Sequence, residues 1–187
     1  MAPTTNSHIN GVDVDQLVET INHIKEDNEL AEFEFRAKST WEKGGESRTE
    51  IQGFYGAGQE NSSRDEPFVV EGDEPPVLLG GNSAPNAVEL TLAALASCLN
   101  VGVAYNAAAQ GIEIEDMSME LTGELNLEGF LGLNERVRPG YRKIEVNYHI
   151  NSDASRSELN DLLDHVQRTS PVQDMLSNPV QVDVQLQ

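Results

Sequence analysis

The sequence predicts an α+β fold in which antiparallel sheets wrap round one long central helix. Three observations predict it. Residues 85–111, PNAVELTLAALASCLNVGVAYNAAAQG, are apolar almost all round and carry Glu89 as their one charged residue. A helix with that pattern is a core helix, covered on every side. Segments before and after it alternate apolar and polar residues, as half-buried strands do, and two others repeat apolar residues at helical spacing.

In chain order, residues 1–11 are polar and rich in Asn, Ser and Thr, which predicts a loose N-terminus. From Asp13 to about Asp27, Val14, Leu17, Val18, Ile21 and Ile24 form the stripe of an amphipathic helix that must dock somewhere. Residues 1–30 are therefore read as an extension with one amphipathic helix, ahead of a domain spanning 31–187. AEFEFRAKSTWE alternates as a strand, KGGES supplies a turn, and SRTEIQGF reads as the antiparallel return. A polar stretch around Asn61 to Glu66 leads to a short strand, PFVVEG, and then to the Pro- and Gly-rich loop DEPPVLLGGNSAP.

Pro85 before the long helix and Gly111 after it are start and stop signals, and at 1.5 Å per residue the helix runs roughly 40 Å. A stretch this apolar is long enough to cross a bilayer. Asn86, Asn100, Asn106 and Gln110 interrupt it, and the rest of the chain is a polar α and β mixture, so the core reading is preferred. IEIEDMSMELTGELNL and RKIEVNYHIN then alternate as two strands. Between them EGFLGLNERVRPGY places Phe130, Leu131 and Leu133 in a loop, where an interface or a pocket lid would hide them. Ser152 or Asp153 caps a helix to about Arg168 with Leu159, Leu162, Leu163 and Val166 as its stripe. Ser170-Pro171 opens a short helical turn, and PVQVDVQLQ alternates as a final strand.

The chain of 187 residues is long enough for one sizeable core, and 38% apolar content is ordinary for a folded protein. It has 32 acidic against 12 basic side chains, a net charge of -20. Such a field repels phosphate backbones and anionic lipid heads, which argues against nucleic-acid and membrane-surface binding. One cysteine excludes an intrachain disulfide and any Cys-rich metal site. His8, His23, His149 and His165 fall at no metal-ligand spacing, so no metal or cofactor is expected. MAPTTNSHINGVDVD lacks a basic start and an apolar run, and a cytoplasmic location with a reduced Cys98 is expected.

GGNSAPNAVELTLAALASCL resembles the central-helix signature of the OsmC/Ohr superfamily, in which a Gly-Asn-Pro-type turn feeds a long Ala-rich helix carrying a cysteine. VRPGYRKIEVNYHINSDA and SPVQDMLSNPVQVDV resemble its later strand and its C-terminal helix and strand, so the likeness spans residues 31–187. The resemblance implies an intertwined homodimer with the long helices in the middle. It also implies reduction of organic hydroperoxides by a cysteine thiolate that becomes a sulfenic acid and is resolved by a second cysteine. The position of that second cysteine matches Ser170, as in a branch of the superfamily with Ser-Pro-Val here. A serine hydroxyl cannot close a disulfide, so turnover would need an external thiol reductant.

Cys98 is then the candidate nucleophile. It lies thirteen residues beyond Pro85, too deep for the helix dipole to ionise it, so a cation from elsewhere must do so. Its helix face carries Thr91, Ala94, Leu95, Val101, Gly102 and Tyr105, none of them basic. By the resemblance the cation is an Arg of the first hairpin, Arg48 or Arg36, with Arg48 preferred. The superfamily's helix-start Glu position falls on Val88, one residue before Glu89. Glu89 lies about 180° round from Cys98 and roughly 13 Å along the axis, so it could serve only a site across the dimer. Bland readings stand beside these: Cys98 as a packed hydrophobe, Glu89 as a helix-start charge, and Arg36 and Arg48 as exposed strand residues paired with acids. The sequence thus leaves open a one-cysteine hydroperoxidase with an apolar mouth at Phe130–Leu133, and a non-catalytic dimer that binds a small apolar ligand or acts as a scaffold.

Overall fold

The computed structural model describes residues 8–186. It is a mixed helix and sheet fold with antiparallel sheets and a long helix, as the sequence predicts. The elements are strands β1 (His8–Ile9) and β2 (Val12–Asp13), helix α1 (Val14–Glu26), strands β3 (Glu34–Phe35), β4 (Lys38–Lys43), β5 (Glu46–Ile51), β6 (Phe54–Gly56), β7 (Gln59–Asn61) and β8 (Phe68–Gly72), helix α2 (Ala87–Ala109), strand β9 (Ile114–Glu124), helix α3 (Leu127–Phe130), strand β10 (Lys143–Ser152), and helices α4 (Arg156–Thr169) and α5 (Pro171–Ser177). They fall into two compact units, residues 15–91 and residues 92–186 with the N-terminal strands.

In the unit of residues 15–91, β4 and β5 form the expected hairpin, with Thr40 opposite Arg48, and β8 adds to the far side of β5. The other expectations there need correction. AEFEFRAKSTWE is not one strand: a 3-10 turn at Asn28–Ala31 and the break after Phe35 split it, and β3 pairs with β6 in a separate sheet. SRTEIQGF divides likewise, because β5 ends at Ile51 and Phe54 opens β6. The β6–β7 hairpin lies where only a polar stretch was read. Its two-residue turn, Ala57-Gly58, has positive φ at both positions (50° and 77°), the geometry that matches hairpin twist. The hairpin signal is weak because a non-glycine residue occupies the first of those positions. Phe33, Phe35 and Phe54 stack with centroids 5.5–6.3 Å apart, but Phe33 and Phe35 stay largely exposed. The α1 stripe also leaves Val18 and Ile21 exposed.

The loop 73–85 is organised by Asp73, whose side chain is 2% exposed. Its carboxylate accepts from the amides of Glu74 (2.7 Å) and Ser83 (3.0 Å) and from the Ser83 hydroxyl (2.9 Å). These bonds, the Ser83 amide first, hold its pKa at about 2.

In the other unit, the loose start expected at residues 1–11 lies outside the described residues up to residue 7. Beyond it the expectation is corrected, since β1 and β2 pair across Asn10-Gly11 with φ of 55° and 76°. The Asn10 side chain fastens this hairpin to the main chain ahead of β9, donating to Ile112 O (2.9 Å) and accepting from Ile114 N (2.8 Å).

The core of this unit is one row of α2, Leu95, Leu99, Val103 and Ala107, each four residues apart, packed with Leu162 and Val166 of α4. Against it lie the inward residues of the β9–β10 ribbon, among them Met119, Leu121, Val146 and Tyr148. Leu99, Val103, Leu162 and Val166 are fully buried, each contributing about 1.5–3 kcal/mol to the fold. The α2 helix passes for a membrane span by length and composition, yet this row is the centre of a packed core. Coverage on every side is corrected, for Val101 and Tyr105 of α2 remain exposed. So do Phe130, Leu131 and Leu133. The predicted α4 is present, but its cap is Ser155, not Ser152 or Asp153. Glu158 completes a capping box by accepting from the Ser155 amide (2.8 Å). The final strand expected at residues 179–187 is absent among the described residues, and Val184 is 90% exposed.

Candidate active site

The site is built by the middle of α2 and by a serine between two helices. Asn86 and Glu89 cap the helix start reciprocally: the Asn86 side chain accepts from Glu89 N (2.9 Å) and the Glu89 carboxylate accepts from Asn86 N (2.8 Å). The helix stops at Gly111, φ 73°, where Gly111 N donates to Ala108 O and Ile112 N to Ala107 O, closing the last carbonyls. Fixed at both ends, α2 turns one row into the core and carries Cys98 on the adjacent row, half-buried at the edge.

Opposite the sulfur stands Ser170. Preceding Pro171, it must adopt extended backbone (φ -75°, ψ 116°), which ends α4 and makes it the cap of α5. Its hydroxyl oxygen accepts from Gln173 N (3.2 Å) and lies 3.2 Å from Cys98 Sγ. Ser170 is 5% exposed, so the sulfur–hydroxyl pair is largely shielded from water on this side. Gly102 permits the close packing of α2 on α4: a Cβ there would come within 2.7 Å of Val166 Cγ1.

An open cavity of about 600 Å³ meets the sulfur. Its walls include Ala94, Val101, Tyr105, Val166, Pro171 and Val172, with Ser97, Asn106, Thr169 and Ser170 among the polar residues. None of the described residues that line it carries a charge. An apolar pocket with a few convergent polar groups suits a small organic molecule.

The predicted Cys98 face is recovered in Ala94, Val101, Gly102 and Tyr105, which line the cavity, whereas Leu95 turns into the core. Thr91 spends its hydroxyl on Ala87 O (3.0 Å). Glu89 serves as a helix cap. Arg48 donates to Glu50 (3.0 Å), and Arg36 pairs with Glu60 (2.7 Å) and Glu34 (3.3 Å). Both arginines belong to the unit of residues 15–91 and are engaged by acids on their own sheets.

The sequence reading overlooked Tyr148. Its hydroxyl is buried without a hydrogen-bond partner among the described residues, and burial, then the charge on Cys98, pushes its pKa up to about 12. The alternation of Ile144, Val146, Tyr148 and Ile150 along β10 already turned it inward, but alternation says nothing of what the hydroxyl meets.

The family profile described as OsmC-like protein matches residues 80–185, more than half of the chain. The chain belongs to the OsmC-like protein family. No curated protein sequence matches it significantly. Among solved structures, this OsmC-like chain is similar to an OsmC-like protein from Mycoplasma pneumoniae at 18% identity and a TM-score of 0.61, covering 78% of this chain and 89% of that one. An OsmC-like protein of unknown function from Vibrio cholerae has 14% identity and a TM-score of 0.58, covering 75% and 92%. The organic hydroperoxide resistance protein OsmC from Legionella pneumophila has 19% identity and a TM-score of 0.54, covering 76% and 88%. At these identities the likeness establishes the OsmC-like fold.

Proposed function

We propose that this chain is a stress-related, one-cysteine reductase of organic hydroperoxides, working as a homodimer in the cytoplasm with an external thiol as reductant. The observation that carries the reading is Cys98 Sγ at 3.2 Å from a buried Ser170 hydroxyl, at an apolar cavity. The Cys98 thiolate attacks the outer peroxide oxygen. The S–O bond forms as the O–O bond breaks, and the hydroperoxide proton leaves on the alcohol. The sulfenate then takes a proton to become sulfenic acid. With serine at position 170, an external thiol condenses with it, releasing water and leaving a mixed disulfide. A second thiol attacks that disulfide, restoring Cys98 and releasing the external disulfide. Arg48 remains the proposed cation, freed from Glu50, and Glu89 a candidate contributor from across the dimer. The homodimer is supported by the apolar surface that one chain leaves open at Val101, Phe130, Leu133 and Val182.

A second reading has its own observation. Among the described residues the cavity walls hold no charged group, which suits a non-catalytic dimer that binds an apolar ligand. One experiment separates the two. Reduced protein is mixed rapidly with cumene hydroperoxide, sulfenic acid is trapped and weighed, and Cys98→Ser is the control. Stoichiometric oxidation far faster than that of free cysteine, lost in the variant, is expected. Oxidation at the rate of free cysteine would leave the ligand-binding reading.

A further inference from the structure

The turn of the β1–β2 hairpin, Asn10-Gly11, joins two properties that pull in opposite directions. The first is structural. Asn10 Nδ2 donates to Ile112 O (2.9 Å) and Asn10 Oδ1 accepts from Ile114 N (2.8 Å), so one side-chain amide ties the hairpin to main chain more than a hundred residues away. Ile112 and Ile114 come just after α2 and pack against its core row. The tie needs a group that donates at one end and accepts at the other, and a carboxylate in its place would only accept.

The second property is chemical. In an unconstrained chain the amide nitrogen of a glycine attacks the side-chain carbonyl carbon of an asparagine before it, because glycine has no Cβ to obstruct the approach. The Cγ–N bond forms, the Cγ–Nδ2 bond breaks, and ammonia leaves with the proton of the glycine amide. Water then opens the succinimide ring to aspartate or isoaspartate. Here the nucleophile is free: Gly11 is exposed, a Cβ on it would meet nothing within 4 Å, and its N–H has no hydrogen-bond partner among the described residues. The electrophile is held, since both ends of the Asn10 amide are bonded away from Gly11.

We propose that Asn10-Gly11 is a deamidation site that acts as a one-way latch on the hairpin. While the hairpin is docked, the two bonds keep Asn10 Cγ from Gly11 N. Each local opening releases it to cyclise. The product cannot dock as before, because its carboxylate meets the Ile112 carbonyl as one acceptor against another and adds negative charge to a chain already at -20. The turn itself tolerates the change, since aspartate also adopts the left-handed conformation that Asn10 takes at φ 55°. What is lost is the attachment to the end of α2 and the start of β9.

The test incubates the full-length protein in mildly alkaline buffer, folded or in concentrated urea, and follows the peptide containing Asn10 by mass spectrometry for replacement of NH2 by OH. Conversion should be about tenfold or more slower in the folded protein, because the hairpin must open first. Asn10→Asp stands for the product. At neutral pH its thermal midpoint should fall by about 2–6 °C, the effect of one lost hydrogen bond and an acceptor left unpaired. Hydrogen exchange should quicken at Ile114 and across the hairpin, while the α2 amides stay protected. Equal conversion rates in folded and unfolded protein, or no conversion in urea, would overturn the proposal. So would an Asn10→Asp variant with the midpoint and exchange of the parent, or one that loses protection throughout the chain.

Discussion

Ser170→Cys should join positions 98 and 170 by a disulfide on mild oxidation. The two side-chain atoms lie 3.2 Å apart, and a disulfide needs about 2.05 Å, so α2 and the α4–α5 junction must share a shift of roughly 1 Å. The cross-link closes a loop of 72 residues, for which the chain-entropy relation gives about 4.4 kcal/mol at 25 °C. Strain from the shift takes part of this back, leaving about 2–4 kcal/mol and a thermal midpoint higher by roughly 5–15 °C. Thermal unfolding with and without reductant measures the gain, and mass spectrometry registers the loss of two hydrogens. Ser170→Cys combined with Cys98→Ser is the control that cannot cross-link within the chain. If both thiols stay titratable in the oxidised, folded variant, the sulfur–hydroxyl contact is wrong, and the reasoning built on it fails. If the bond forms, exposure to hydroperoxide should also yield it, since the introduced thiol would then intercept the sulfenic acid that Ser170 cannot.

Gly102→Ala should destabilise the protein despite the better helix former, since the contact with fully buried, stiff Val166 costs about 1–3 kcal/mol against a helix gain of about 0.5–1. In a Val166→Ala background the same change should become stabilising by about 0.5–1 kcal/mol, and urea unfolding of the four proteins reads that reversal of sign. Because the Asp73 pKa lies below the ordinary 3.8, its contribution is complete above about pH 4 and lost as pH falls through about 2. The thermal midpoint of the parent should therefore fall more steeply over that window than that of Asp73→Asn, and parallel curves would refute the role of the carboxylate.

The parts of the fold legible in the sequence are those where periodicity and burial come from the same short segment. The four-residue row of α2, the stripe Leu159–Leu162–Val166 of α4 and the alternation of β9 and β10 each report local geometry, and each forms as read. What was missed depends on backbone details that composition hides. The Ala57-Gly58 turn needs positive φ at a non-glycine residue, and Ser155 displaces Ser152 as a cap because only it has Glu158 three residues on. At the site, the Cys98 row was visible from helical spacing, and Ser170 through the resemblance to the OsmC/Ohr superfamily, at the position of its second cysteine. Tyr148 was not, since the burial of its hydroxyl depends on the tertiary placement of β10.

The remaining disagreements share a direction. Val182 and Val184 in the C-terminal segment, Val101 and Tyr105 on α2, and Leu131 and Leu133 after α3 all carry patterns of burial, yet all are exposed in the single chain. A hydrophobic pattern records the total burial a residue experiences, whichever chain supplies it. Strand alternation with no strand partner and a helix apolar beyond its packed row are therefore what the proposed homodimer predicts for the isolated subunit. On that proposal the cavity wall at Val101 and Tyr105 is finished by the second subunit, and the reactivity of Cys98 depends on assembly. Charge substitutions at Val182 and Val184 would then impair peroxide reduction without touching any group near the sulfur.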